Sequence, residues 1–133
     1  DAHCEQVTLT AMDFIAEGRL SFHAIDPVAS FYPQQEATAP FIKKFAQTRM
    51  PKFLNYFERL LVNSEFVVGS KLTYADVAVF HVLVAAEFQF PEDFPVTPCP
   101  QSAAFVKRIK ALPRMHAYLN SDKRGFFEGN SMM

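Results

Sequence analysis

The chain has 133 residues, half of them hydrophobic and fifteen of them Phe, which is ample material for one domain built on a single core. A net charge of −1 and an isoelectric point near 6.5, with both signs interspersed, exclude a general nucleic-acid surface, which would be basic and clustered. No run approaches the ~20 apolar residues that span a bilayer. Two cysteines far apart, Cys4 and Cys99, predict free thiols in a reducing cytoplasm rather than a disulfide framework. The first residue is Asp and no signal peptide precedes the first helix, so the N-terminus reads as a cut end.

Val7, Ala11, Ile15 and Phe22 recur near helical spacing and predict a helix from about residue 3 to 25. Gly18 within it costs ~1 kcal/mol relative to Ala, which tertiary contacts can offset. The stretch DPVASFYPQQEATAP carries three prolines and several turn formers and reads as an irregular connection. In FIKKFAQTRMPKFLNYFERLLVNS, Phe53, Phe57, Leu60 and Leu61 form an apolar stripe, with Lys52, Asn55, Glu58 and Arg59 mostly off it. Pro51 removes one helical hydrogen bond and predicts a kink near Gln47. FVVGS follows as a short buried connector, with Gly69 and Ser70 making the turn.

KLTYADVAVFHVLV opens on an N-cap signature. Thr73 is the cap, and Asp76 three residues on closes a capping box and suits the positive end of the helix dipole. Leu72 and Val77 are placed as a hydrophobic staple. Beyond the cap, Val77, Val79, Phe80, Val82, Leu83 and Val84 leave no polar face, which predicts a central helix buried on all sides. FQFPEDFPVTPCP is a proline-punctuated loop. QSAAFVKRIKAL shows Phe105, Ile109 and Leu112 at helical spacing, and Pro113 ends that helix and starts PRMHAYLNS. DKRGFFEGNSMM is a tail. Alternation of period two is absent, so the expected fold is all-α, a bundle of about five helices spanning 1–133 as one domain.

VGSKLTYADVAVFHVL, preceded by MPKFLNYFERLL and followed by IKALPRMHAYLNS, resembles the C-terminal helical domain of cytosolic glutathione transferases. The likeness runs from about residue 3 to 121 and is greatest to the sigma-type branch, with mu, pi and alpha close by. It implies a homodimeric cytoplasmic enzyme that conjugates glutathione, a co-substrate, to hydrophobic electrophiles, with no bound cofactor. In the family a thioredoxin-like N-terminal domain binds glutathione and activates its thiol. That domain precedes the first helix and is absent from this sequence, so no catalytic residue is expected here and the isolated chain should be inactive. The alternative is a non-catalytic docking module of the same fold, as in translation elongation factor or synthetase complexes; a lens-crystallin-like structural use is a third.

The resemblance also singles out residues. Asp13, followed by Phe14, matches an acid that reaches the γ-glutamyl ammonium of glutathione in the neighbouring subunit; the plain alternative is a solvated helix charge, and another alignment puts Thr10 in that role. Leu20, His81 and Val82 match the floor of the electrophile pocket, though a lone histidine on an apolar helix is also an ordinary neutral core residue. Phe127, beside Phe126 in the tail, either folds over that pocket or belongs to a frayed terminus. Thr73 and Asp76 are structural caps. No second His or Cys stands at ligand spacing from His81, so no metal site is expected.

Overall fold

The computed structural model describes residues 1–94 and 99–127, and among them there is no strand. Six α-helices follow one another: α1 (Ala2–Phe22), α2 (Gln35–Thr48), α3 (Met50–Leu61), α4 (Tyr74–Gln89), α5 (Pro100–Ala111) and α6 (Pro113–Leu119), with one 3-10 turn at Tyr32–Gln34. The expected all-α bundle is the fold. Residues 95–98 of the proline-rich loop and 128–133 of the tail lie outside the described residues.

Asp1 caps α1 by accepting the His3 N–H at 3.0 Å, and the helix runs unbroken through Gly18 to Phe22. It stops there because residues 23–31 wind around the buried side chain of Gln34. The Gln34 amide oxygen accepts from the N–H groups of Ile25 (3.3 Å) and Asp26 (3.0 Å), and its nitrogen donates to the carbonyls of Asp26 (2.9 Å) and Ser30 (3.1 Å). Both donors and both acceptor positions of one amide are thereby used. The loop so ordered leads into the 3-10 turn and then α2, which starts inside the stretch expected to be irregular. Pro40 removes one backbone bond within α2, and the inward burial of Thr38, Phe45 and Ala46 offsets the loss.

The run expected to kink near Gln47 divides at Arg49, between α2 and α3. Pro51 cannot donate to the Gln47 carbonyl and its ring crowds that oxygen, so one helix ends and another begins. Arg49 fastens this joint to α1: Nε and Nη2 donate to the two carboxylate oxygens of Glu17 at 2.6 and 2.7 Å.

α1 and α4 lie side by side and run parallel. Near their ends the Phe22 and Phe90 ring centroids are 5.8 Å apart; at their starts, desolvation and then the nearby Cys4 and Glu5 raise the phenol pKa of Tyr74. Phe14, fully buried on α1, centres the core, with ring centroids 5.0 Å from Phe53, 5.8 Å from Phe45 and 6.4 Å from Phe57. Aromatic pairs of this kind add ~0.5–1.5 kcal/mol each beyond area burial. α3 and α4 support α5, which in turn carries α6.

The capping box of α4 is complete. Asp76 is 0% exposed; one carboxylate oxygen accepts the Thr73 N–H (2.7 Å) and hydroxyl (3.0 Å), and the other accepts the Val67 N–H (2.8 Å). The same side chain thus starts the helix and pins the buried connector before it, whose turn Gly69 makes at φ 67°. Burial of α4 on all sides is not found. Ala75, Val79, Val82, Leu83 and Ala86 face inward, but Tyr74, Val77, His81 and Phe88 form an exposed stripe. A sequence with no polar face cannot say which side lacks neighbours. Leu72 and Val77, placed as a staple, remain 45% and 43% exposed.

Candidate functional site

The tail returns over the open side of α4. Phe127 stacks on Phe88, with centroids 5.2 Å and planes 27° apart, and stands 6.0 Å from the His81 ring. The Arg124 guanidinium lies 5.4 Å from the Phe127 centroid on its face. Beneath this strap, between α4 and α6, is a cavity of about 250 Å³ walled by Val77, His81, Val84, Met115, Tyr118 and Phe127 among others. It is an apolar recess with one imidazole and one guanidinium at its margin.

His81 is an exposed residue, yet its ring sits under Phe127, and loss of water there lowers its pKa below the ordinary 6.5. The charge of Arg124 adds to the shift in the same direction. The imidazole is therefore neutral near pH 7, one nitrogen a donor and the other an acceptor. It makes no hydrogen bond among the described residues, unlike a satisfied core histidine.

Of the residues marked by the resemblance, the fold brings His81 and Phe127 together. Val82 is fully buried on the inward side of α4 and does not line this cavity. Helical geometry turns residue 82 some 100° from residue 81, enough to exchange solvent for core. Leu20, 55% exposed, stands on the outward side of α1 with Leu9, Met12 and Ala16, away from the cavity under the tail. Asp13 rises within that same outward stripe, exposed and without a hydrogen bond or ion pair among the described residues. Thr10, its alternative, donates its hydroxyl to the Gln6 carbonyl at 2.8 Å and so is turned back on its own helix. Sequence reasoning missed Met115, Tyr118 and Arg124. The spacing of Met115 and Leu119 on α6 was a usable signal; nothing local marked Arg124.

Among the described residues no three His, Cys, Asp or Glu side chains gather as a metal site, and no helix is long and apolar enough to cross a membrane. The family model described as "Glutathione S-transferase, C-terminal domain" matches residues 23–122. The chain belongs to this family. As a glutathione S-transferase C-terminal domain it is similar to the glutathione S-transferase of Plasmodium yoelii yoelii, 29% identical over 103 residues that cover 74% of this chain and 44% of that protein. A glutathione S-transferase of Tyrophagus putrescentiae is 31% identical over 80 residues, 60% of this chain and 36% of its own. Glutathione S-transferase P 1 of Bufo bufo is 35% identical over 77 residues, 55% and 36% of the two chains. The chain thus spans less than half the length of these curated relatives. In this transferase-type domain α2 to α6 fall inside the matched span, and α1 precedes it.

Proposed function

We propose that this domain is the electrophile-binding and dimer-forming part of a cytoplasmic glutathione transferase that conjugates glutathione to hydrophobic electrophiles. The observation that carries the reading is the pair of outward apolar stripes, one on α1 around Asp13 and one on α4 under Phe127. Apolar surface with a few placed polar groups suits a hydrophobic electrophile held beside a charged co-substrate. In the reaction the glutathione thiol loses its proton, and the thiolate attacks the electrophilic carbon to form a C–S bond while the bond to the leaving group breaks and that group departs with the electron pair. The activating group belongs to a thioredoxin-like domain in this reading. The described helices hold no strand, and burial, with Glu58 adding to it, raises the pKa of the Cys99 thiol and keeps it protonated. Asp13 reaches the γ-glutamyl ammonium of glutathione held by the partner subunit.

The test joins this chain to the thioredoxin-like domain of a related transferase and assays the homodimer. A charge-assisted hydrogen bond contributes about 1.5–3 kcal/mol, so Asp13→Ala should raise the KM for glutathione roughly 10-fold or more. The KM for the electrophile should move far less, and Asp13→Asn should recover part of the loss. The 133-residue chain alone should conjugate no faster than the uncatalysed reaction. An unchanged glutathione KM in dimeric Asp13→Ala would leave Asp13 a solvated helix charge. The exposed stripes also fit a docking module of the same fold; a well-folded dimeric chimera without turnover would favour that reading.

A further inference from the structure

The turn that closes α3 holds the residue other than glycine that has a positive φ among the described residues. Leu61 to Ser64 make a type II turn. Val62 stands at φ −65° and ψ 117°, Asn63 at φ 65°, and the Ser64 N–H donates to the Leu61 carbonyl at 3.2 Å. A left-handed residue is required at the third position of such a turn, where glycine is favoured and Asn is tolerated. Both sides of the turn are anchored. Leu61 is buried in the core before it. After it the Ser64 hydroxyl donates to the Phe66 carbonyl (2.6 Å), Arg108 Nη2 to the Glu65 carbonyl (2.6 Å), and the Val67 N–H to the buried Asp76 carboxylate (2.8 Å). Val62 and Asn63 between these anchors are exposed, and the Asn63 amide makes no hydrogen bond among the described residues.

Asn120 is an internal control, since it too is exposed and precedes a serine. Its side-chain nitrogen donates to the His116 carbonyl at 2.8 Å, so that amide is turned back on α6. Asn55 lies inside α3 and precedes the bulky Tyr56.

We infer that Asn63 is a site of spontaneous deamidation and isoaspartate formation, coupled through the buried connector to the cap of α4. The Ser64 backbone nitrogen loses its proton and attacks the Asn63 side-chain carbonyl carbon. The new C–N bond closes a succinimide ring, and the bond to the side-chain nitrogen breaks to release ammonia. Water then opens the ring at either carbonyl, leaving an aspartyl residue or an isoaspartyl one whose main chain runs through Cβ. The turn supplies what this needs: a free amide, a successor too small to obstruct its own nitrogen, and one exposed backbone bond that opens readily. The isoaspartyl product adds a backbone carbon between two anchored points. The displacement falls on the bonds holding Ser64 to Val67, among them the Val67 N–H to Asp76 that joins the connector to α4. No residue of either outward stripe takes part, so the inference is independent of the proposed conjugation.

The experiment incubates the 133-residue chain in warm, mildly alkaline buffer, folded and in urea, and locates isoaspartate by peptide mapping. Asn130, which also precedes serine, lies outside the described residues and is mapped separately. In the folded chain Asn63 should convert at least about 5-fold faster than Asn120, a factor set by the hydrogen bond that Asn120 must first break. In urea the two should differ by less than about 2-fold, because the shared Asn-Ser sequence then governs both. The aged protein should exchange its Val67 amide hydrogen faster. Asn63→Gly suits the turn and lacks the reactive amide, so its exchange should not change with age. Fresh Asn63→Asp carries the new charge without the added carbon and should keep Val67 protected. Conversion of Asn120 as fast as Asn63 in the folded chain would overturn the inference, and so would a ratio unchanged in urea. Unaltered Val67 exchange in the isoaspartyl form, or equal loss of protection in fresh Asn63→Asp, would overturn the coupling to α4.

Discussion

Asp76 carries three accepted hydrogen bonds on a carboxylate without solvent access, two from Thr73 and one from the Val67 N–H. Truncation removes the N-terminal cap of α4 and also orphans a buried backbone donor nine residues earlier. A lost cap costs about 0.5–2 kcal/mol and an unsatisfied buried group about 1–3, so Asp76→Ala should destabilise by about 2–4 kcal/mol, read as a lower urea midpoint. An unchanged midpoint would remove Asp76 from this role. His81 gives a second prediction at this scale. Its pKa is depressed, so the folded state takes up its proton less readily than the unfolded chain, and stability present above 6.5 is lost as pH falls through the folded value. Tail docking should therefore weaken in acid below about pH 6.5, where chemical shifts of Phe127 and Phe88 would report it. Phe127→Ala should return the His81 titration, followed by NMR, towards its ordinary value.

At the scale of elements, the start of α5 is held by a side chain from α3. Glu58 supplies to Gln101 and Ser102 the anion that a local N-cap would otherwise provide, across 43 and 44 residues of sequence. Cys99, at the N-cap position itself, makes no side-chain cap bond. Glu58→Ala should destabilise by about 1–3 kcal/mol and speed amide exchange at Gln101 and Ser102 well beyond the change at α4. Equal acceleration across both helices would mean that Glu58 stabilises only globally. Local reading places Glu58 on the polar side of an amphipathic helix and goes no further, because its partners belong to another element. The break between α2 and α3, by contrast, was visible in Pro51, since its steric and hydrogen-bonding effects act within one turn.

For the molecule as a whole, the Glu17–Arg49 pair links α1 to the joint between α2 and α3. The hydrogen bond from Arg49, opposed by desolvation and aided by the Arg49 charge, lowers the Glu17 pKa from 4.5. A lowered carboxyl contributes stability that is present above its unfolded pKa and lost as pH falls through the folded one. Acid unfolding should accordingly lose some of its steepness below pH 4.5 in Glu17→Gln, measured as the pH dependence of the urea midpoint. Because both side chains are well exposed, solvent screens the pair and the effect should be modest and smaller still at high salt. An identical acid profile in the variant would show that the link adds nothing to global stability.

The all-α character, the cap of α4 and the proline interruptions at Pro51 and Pro113 were decided by the sequence alone, because propensity, capping and proline geometry act over three or four residues. The family likeness was legible for the same reason, in local motifs at fixed spacing. Tertiary structure alone decided which side of α4 stays open. That helix is apolar around its circumference, so its periodicity carries no direction, and neighbouring helices choose to bury Val82 and leave His81 facing the tail. It also decided that Gln34 would order residues 23–31 and that Glu58 would cap α5, since a buried polar group takes whatever partner the fold brings within hydrogen-bonding distance.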